Sequence, residues 1–442
     1  MSSASTSTSP RRAARAGGVF RLLVLYAPGS QRPGQSSVLE RPLLISREEG
    51  EGGARFVLDD SEVSRRHADL SSEGEDWVLV DEGSHNGSFV NGERVRRVRL
   101  AAGDVIRVGQ HVLLLQHLDL AASQRLARRR LPDSPLVGDG PAIKAVDEQL
   151  SACAKQGGPV LVLGESGTGK ELVAQQLHAL SGRQGKLVPV NCTALGEQVA
   201  DSELFGHVKG AFSGALRTTM GLFGEARGGT LLLDELGDMP LELQAKLLRT
   251  LETGEVRRVG SATPEHVDTR VVAATHVDLE AAVEAGTFRG DLWARLQRHV
   301  IRLPPLRERR EDVLPIARHV LQGLRSRHTV TSDAAEALLA HDWPYNVREL
   351  RNVIESACEQ ARGRRAIDLE HLPEALVERL AARMDAPATL PVGRPPESAQ
   401  ELRALLAQHG GNVAKLAELL GKDRKQIYRW CERFGVDPGE RP

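Results

Sequence analysis

The chain has 442 residues, 40% of them hydrophobic and 26% charged, and a formal net charge of −1 at pH 7. This is a globular composition with room for about two to four domains, and its charge balance excludes a general polyanion binder, so any nucleic-acid surface has to be local. Cys153, Cys192, Cys358 and Cys431 form no C-x-x-C pair, which excludes a zinc ribbon or disulfide framework and predicts a reducing, cytoplasmic setting; no apolar run nears the roughly 18 to 20 residues that span a bilayer.

Residues 1–17 are mostly Ser, Thr, Ala and Arg and read as a disordered arm. Arg11-Arg12 precede only the short Phe20–Tyr26 run, which reads as a first strand rather than an export signal. From 18 to 118, short apolar runs at Phe20–Tyr26, Pro42–Ile45, Trp77–Val80, Ser88–Val90, Val105–Val108 and His111–Leu115 alternate with Gly, Asn and Asp. That spacing predicts an all-β sandwich. A linker is expected at 119–134, with a basic helical stretch at Ala121–Arg130.

From 135 to 375 the pattern becomes strands alternating with helices, as in a parallel α/β sheet, with strands predicted at Pro159–Leu163, Leu187–Val190, Thr230–Leu233 and Arg270–Ala274. Arg310–Leu380 reads as purely helical. A Pro-rich linker at 376–397 leads to a helical tail at 398–442, in which Gly421 fits the turn of a helix-turn-helix and Arg424–Phe434 its second helix.

Two motifs in the α/β segment point to nucleotide chemistry. Gly164-Glu165-Ser166-Gly167-Thr168-Gly169-Lys170 follows a buried strand and opens a helix. Glycines let backbone N–H groups wrap phosphates, the helix N-terminus adds positive potential, and Lys170 reaches the β- and γ-phosphates. Glu171 stands where a hydroxyl residue is usual. Leu231–Leu233 then ends in Asp234 and Glu235, an acid suited to Mg²⁺ and one suited to polarising water. Together they predict an NTPase acting on a nucleoside triphosphate with Mg²⁺. Between them lies Gly210-Ala211-Phe212-Ser213-Gly214-Ala215, where an exposed aromatic would have to contact something or else close a buried hairpin tip.

The segment resembles the AAA+ domain of the sigma-54 activators, the NtrC-like enhancer-binding proteins. The resemblance implies that Gly210–Ala215 touches sigma-54, with Ser213 where Thr is usual. It also implies that Asn191 restrains Glu235, that His276 is the sensor beside the γ-phosphate, and that Arg289 and Arg295 are catalytic arginine fingers acting in trans. Trp343–Leu350 resembles the second sensor, Arg348 facing the nucleotide and Tyr345 replacing a usual Gly. The family implies a hexameric ring, with a dimer as its inactive form, that remodels the closed sigma-54 RNA polymerase complex.

The β-rich segment resembles a forkhead-associated (FHA) domain through Arg47, Val63–Ala68, Ser84–Ser88, Val90–Gly92, Leu100 and Gly103-Asp104. Ser46 stands where Gly is usual and Ser88 where Thr is frequent. The resemblance implies that Arg47 and Ser64 contact phosphothreonine, that Arg65 assists and that Asn86 holds the peptide backbone; a guanidinium fork, a hydroxyl and an amide suit a phosphate. His67 and Asn91 read as supports for their loops. The tail resembles the Fis-type helix-turn-helix of the same activators, implying enhancer DNA as partner, with Lys422, Arg424, Lys425, Gln426 and Arg429 facing it and Ile427 and Trp430 in the core. The expected protein is thus multidomain: an FHA sandwich sensing a phosphothreonine protein or kinase, an AAA+ ATPase with a helical lid, and a DNA reader, with no membrane partner. Two alternatives stay open: a different AAA+ remodelling machine, and a phosphopeptide adaptor without ATPase activity.

Overall fold

The computed structural model describes residues 18–28, 33–50, 53–74, 76–196 and 199–385, and 402, 403, 406, 413, 416, 424–434 and 436 of the tail. The arm at 1–17 and the Pro-rich linker after 385 lie outside the described residues. Two compact units are formed, one of Met1–Leu120, His328–His341 and Gly363–Pro442, the other of Ala121–Arg327 and Asp342–Arg362.

In the first unit eleven strands make the sandwich: β1 Gly18–Tyr26, β2 Ser36–Val38, β3 Leu43–Ser46, β4 Ala54–Val57, β5 Ala68–Glu73, β6 Asp76–Asp81, β7 Ser88–Val90, β8 Glu93–Val95, β9 Arg97–Leu100, β10 Val105–Val108 and β11 His111–Asp119. One sheet runs β2-β1-β11-β10-β7-β8 and the other β4-β3-β5-β6-β9. Side chains two apart along a strand share a face, and the pairs Leu22/Val24, Leu43/Ile45, Leu70/Ala68, Trp77/Leu79, Ile106/Val108 and Leu113/Leu115 all enter one core. A period of two with one apolar face is why these segments form a sandwich.

The second unit holds a parallel sheet ordered β13-β14-β17-β12-β18, from β12 Val160–Leu163, β13 Leu187–Asn191, β14 Thr230–Asp234, β17 Arg270–Thr275 and β18 Val300–Arg302; β15 Glu255–Val256 and β16 Glu265–His266 form a small ribbon. The central strands are apolar throughout because both faces are covered. A short helix α1, Leu120–Leu126, comes first in the chain; Val160, Val162, Leu232, Val272 and Ala274 pack on α2 Pro141–Lys155 and α3 Lys170–Leu180. Leu161, Leu231, Leu233, Val271 and Ala273 pack on the other side, in one cluster with α4 Ala200–Phe205, α5 Gly221–Glu225, α6 Leu241–Thr253, α7 Leu279–Glu284 and α8 Gly290–Leu296. The fifth strand, Val300–Arg302, is too short to announce itself in the sequence.

Beyond Leu303 the chain is mainly helical. Helix α9 Val313–Gly323 packs on α11 Asn346–Gln360 within the second unit, and α10 Ser332–Ala340 on α12 Glu374–Asp385 within the first. Two expectations are corrected here. The stretch is not purely helical, because β19 Thr329–Val330 and β20 Ala366–Ile367 form a short parallel pair. The linker also does not start at 376, because α12 continues to Asp385 and buries Leu376 and Leu380. Among the described residues no helix is long and apolar enough to cross a membrane.

Candidate active site

The loop between β12 and α3 is shaped by its glycines. Gly167 and Gly169 have φ of +77° and +106°, a region that side chains resist. A Cβ on Gly167 would also stand 2.2 Å from the Tyr345 carbonyl oxygen, so only glycine lets the loop run this close to the segment before α11. Lys170, the first residue of α3, is 7% exposed. Its ammonium donates to the Gly164 carbonyl at 3.1 Å and lies 3.5 Å from Glu235. Thr168 closes the loop by donating to the Glu165 carbonyl at 2.7 Å.

Three groups from later in the chain grip this loop. Arg307 donates two parallel bonds to Glu165, at 2.9 and 2.7 Å, and that guanidinium holds the Glu165 carboxyl below its usual range. Arg348 donates to the Ser166 hydroxyl at 2.9 Å. Asn346 is fully buried; its amide donates to Glu165 and to the Ser166 carbonyl and accepts from the Leu306 N–H at 2.7 Å. Neither Arg307 nor Asn346 stood out as a site residue in the sequence. The available hint was an asparagine just after Trp-Pro-Tyr at a helix start, and Asn346 does take a left-handed φ of +54°.

Asp234 and Glu235 end β14 in the middle of the sheet. Glu235 has φ of +52°, which turns its carboxylate toward Lys170 and away from its neighbour. Burial, reinforced by the charge of Glu235 and then of Glu171, holds the Asp234 carboxyl above its ordinary range. Burial also pushes Glu235 up, but the hydrogen bond from His276 and the Lys170 charge outweigh it and leave Glu235 below its ordinary value. His276 Nδ1 stands 2.7 Å from Glu235 Oε2. Asn191 stands apart from Glu235 in this structure. Its side chain accepts from the Thr193 N–H at 2.9 Å and the Thr193 hydroxyl at 2.7 Å, capping the turn after β13, and the side chain that holds Glu235 is His276.

The excess of carboxylate around one ammonium suits a divalent cation arriving with a polyphosphate. Among the described residues no three His, Cys, Asp or Glu side chains converge as a metal cage.

The other expected residues are placed as follows. Arg289 is exposed and pairs with Asp291 of its own chain at 2.7 Å, while Arg295 on α8 donates to the Leu251 carbonyl at 2.9 Å. The Gly210–Ala215 loop is closed by the Gly210 N–H on the Ala215 carbonyl and the Ala215 N–H on the Phe212 carbonyl. Ala215 is buried, Gly210, Ser213 and Gly214 are exposed, and Phe212 is 44% exposed with its ring 5.0 Å from that of His207. The aromatic is thus a surface group rather than a buried hairpin tip.

In the sandwich, the Arg47 N–H donates to the Ser64 carbonyl at 3.1 Å and the Ser64 hydroxyl accepts from the His85 N–H at 3.2 Å. The Asn86 amide donates to the Glu62 carbonyl at 2.8 Å. Arg65 is largely exposed, 3.8 Å from Glu48. Fully buried His67 accepts from the Ser64 N–H at Nδ1 and meets the Gly87 carbonyl through Nε2 at 3.2 Å, which fixes the neutral tautomer and joins the two loops. Asn91, with φ of +52°, ties its turn to Asp104 and Val105. Asp81, unremarkable in the sequence, accepts from Ser84 and Ser88 at 2.6 and 2.7 Å and organises the Ser84–Ser88 loop.

In the helix Arg424–Phe434, Ile427, Trp430 and Cys431 are buried with Leu402, Leu406, Val413, Leu416 and Val436, whereas Tyr428 and Arg429 face out. Lys422 and the side chains of Arg424, Lys425 and Gln426 lie outside the described residues.

The Sigma-54 interaction domain matches residues 136–302, the AAA+ ATPase lid domain residues 307–388, and the FHA domain residues 47–109. The transcriptional regulatory protein ZraR of Klebsiella oxytoca is 44% identical over 70% of this chain and 73% of its own length. The nitric oxide reductase transcription regulator NorR1 of Cupriavidus necator is 42% identical over 70% and 67%. Among solved structures, NtrX from Brucella abortus in complex with ATP is similar with a TM-score of 0.51 at 31% identity, covering 70% of this chain and 71% of that one.

Proposed function

The chain belongs to the sigma-54-dependent transcriptional activators, here an AAA+ ATPase joined to an FHA domain, and from that premise we propose that it couples ATP hydrolysis between subunits of a ring to opening of a closed sigma-54 polymerase complex. The observation that carries the reading is Glu235, held 3.5 Å from Lys170 at the end of a buried strand.

ATP fits with its phosphates over the Gly164–Lys170 loop. Lys170 exchanges Glu235 for the β- and γ-phosphates, and Ser166 and Arg348 flank the loop. Asp234 is the residue to hold Mg²⁺, which supplies charge neutralisation across the phosphates. Once released by Lys170, Glu235 takes a proton from water as the water oxygen bonds to the γ-phosphorus and the bond to the bridging oxygen breaks, leaving ADP. His276 holds Glu235 back until then and so sets when the base is free. Arg289 and Arg295 answer to the neighbouring subunit's γ-phosphate; the Asp291 partner of Arg289 is a solvent-exposed surface pair, screened by water and readily exchanged. Phe212 and its loop carry the stroke to sigma-54. Arg47, Ser64, Arg65 and Asn86 bind a phosphothreonine peptide from a kinase or its substrate. Lys422, Arg424, Lys425, Gln426 and Arg429 anchor the protein on enhancer DNA. The intact set of Lys170, Asp234 and Glu235 favours this reading over an adaptor without turnover.

Trapping tests the coupling. In ADP with aluminium fluoride, purified sigma-54 and the full chain should co-migrate on a native gel, and Phe212→Ala should abolish the complex while ATP turnover persists. Equal trapping by Phe212→Ala would refute the role of the loop.

A further inference from the structure

Helix α10 is unusual for a charged residue's neighbourhood: every position from Ala334 to Ala340 is buried. A helix covered all round needs partners on more than one side. Within its unit α10 packs on α12 and also on β10 and β11 of the sandwich. Its one buried charge is Glu336, whose side chain is 3% exposed.

The partner of Glu336 comes from the sandwich. Arg107 on β10 donates through Nε to Glu336 at 2.8 Å, and Asp333, one turn earlier on α10, stands 3.9 Å from the same nitrogen. The guanidinium is stacked over Phe89 of β7, 3.9 Å from its centroid. Burial raises the Glu336 pKa, while the Arg107 charge and its hydrogen bond draw it back. A carboxylate taken this far from water persists only when it is paired, so the contact is specific as well as adhesive.

The same hairpin is tied to the phosphopeptide loops. Gln110, three residues after Arg107, donates its side-chain amide to Glu62 at 2.6 Å and its N–H to Asp60 at 2.9 Å. Asp60 in turn accepts from the N–H groups of Glu62 and Val63, and the Glu62 carbonyl receives Asn86. The loop that carries Ser64 and the strand that carries Arg107 are therefore one hydrogen-bonded frame.

We propose that the Phe89 and Arg107 face of the sandwich is a docking surface for lid helix α10, and that this dock restrains ATP turnover until it is released. It rests on the ATPase reading, since α10 leads within a few residues into α11, which carries Arg348.

The test uses the full chain without peptide. Arg107→Ala should raise amide exchange across 332–340 at least tenfold, leave β5 and β6 within twofold of wild type, and raise ATP turnover at least threefold. Glu336→Gln keeps the shape of the buried side chain and guards against a folding artefact in the first variant. It should act in the same direction, and the double variant should add nothing to the larger single effect. Unchanged exchange at 332–340 in both variants would overturn the dock. Raised exchange with unchanged or lower turnover would overturn the restraint. Failure of a degenerate phosphothreonine peptide library to bind the wild-type chain would strike the phosphopeptide reading and leave the dock standing.

Discussion

Glu235 concentrates the chemistry of this molecule in one backbone conformation. A left-handed φ on a non-glycine residue costs on the order of 1–3 kcal/mol and persists where the surroundings over-determine it. Here the buried β14 strand, Lys170 and His276 do so. Glu235→Gln should keep ATP binding but lower phosphate release by ~10²–10⁴, the usual contribution of a positioned base; turnover within threefold of wild type would remove Glu235 from that role. His67 yields a pH prediction. Burial lowers its pKa from the ordinary 6.5, against the opposing effects of the Gly87 carbonyl and Asp81, and burial lowers His111 beside Asp60 in the same way. Such an imidazole binds its proton more weakly in the native state than in the unfolded chain. Its stabilising contribution is therefore complete above pH 6.5 and is lost as the pH falls through 6.5 toward the native value. Exchange protection of β5, corrected for intrinsic rates, should fall between about pH 7.5 and 5.5, and less so in His67→Gln.

Elements differed in how much of themselves they wrote into the sequence. Strands that carry an apolar run, such as Trp77–Val80 and Val105–Val108, were legible, whereas Ala68–Glu73 and Arg97–Leu100 were not, because a polar residue separates their two core positions. Edge strands such as Ser36–Val38 and Glu93–Val95 were not, because they bury almost nothing. Likewise Val300–Arg302 hides behind its three residues, and Thr329–Val330 behind two. The phosphate loop and paired acids were readable because their chemistry demands fixed residue types at fixed spacing. The partner of Glu235 was not: whether Asn191 or His276 reaches it depends on rotamers and on Thr193 competing for the amide, which no spacing records. The grip of Arg307 and Asn346 on Glu165 spans 142 and 181 residues of chain and is visible only in three dimensions. In the tail helix, Ile427 and Trp430 are buried while Arg429 is exposed. Arg429→Ala should weaken DNA binding evenly across sequences and reduce the slope of log K against log salt by about 0.9, as for one lost phosphate contact. An unchanged slope would assign that face another partner.

At the scale of the whole molecule, an input module, an ATPase and an address share one chain with almost no net charge. The long-range field of the protein therefore does little, and the proposed function asks each partner to be met by a local device: Arg47 and Ser64 for phosphate, the exposed Phe212 ring for the polymerase factor, Arg429 and its sequence neighbours for DNA. In the proposed function chemical energy enters at Lys170 and Glu235 and leaves through Phe212, so opening of the promoter has to depend on both ends. The most direct measurement is permanganate reactivity at the start site of a sigma-54 promoter bound by holoenzyme, with the full chain supplied at high concentration. Reactive thymines should appear with ATP, fail to appear with a non-hydrolysable analogue, and fail to appear with Phe212→Ala even as it hydrolyses ATP. Strand opening by Phe212→Ala, or by the wild-type chain with the analogue, would contradict the account.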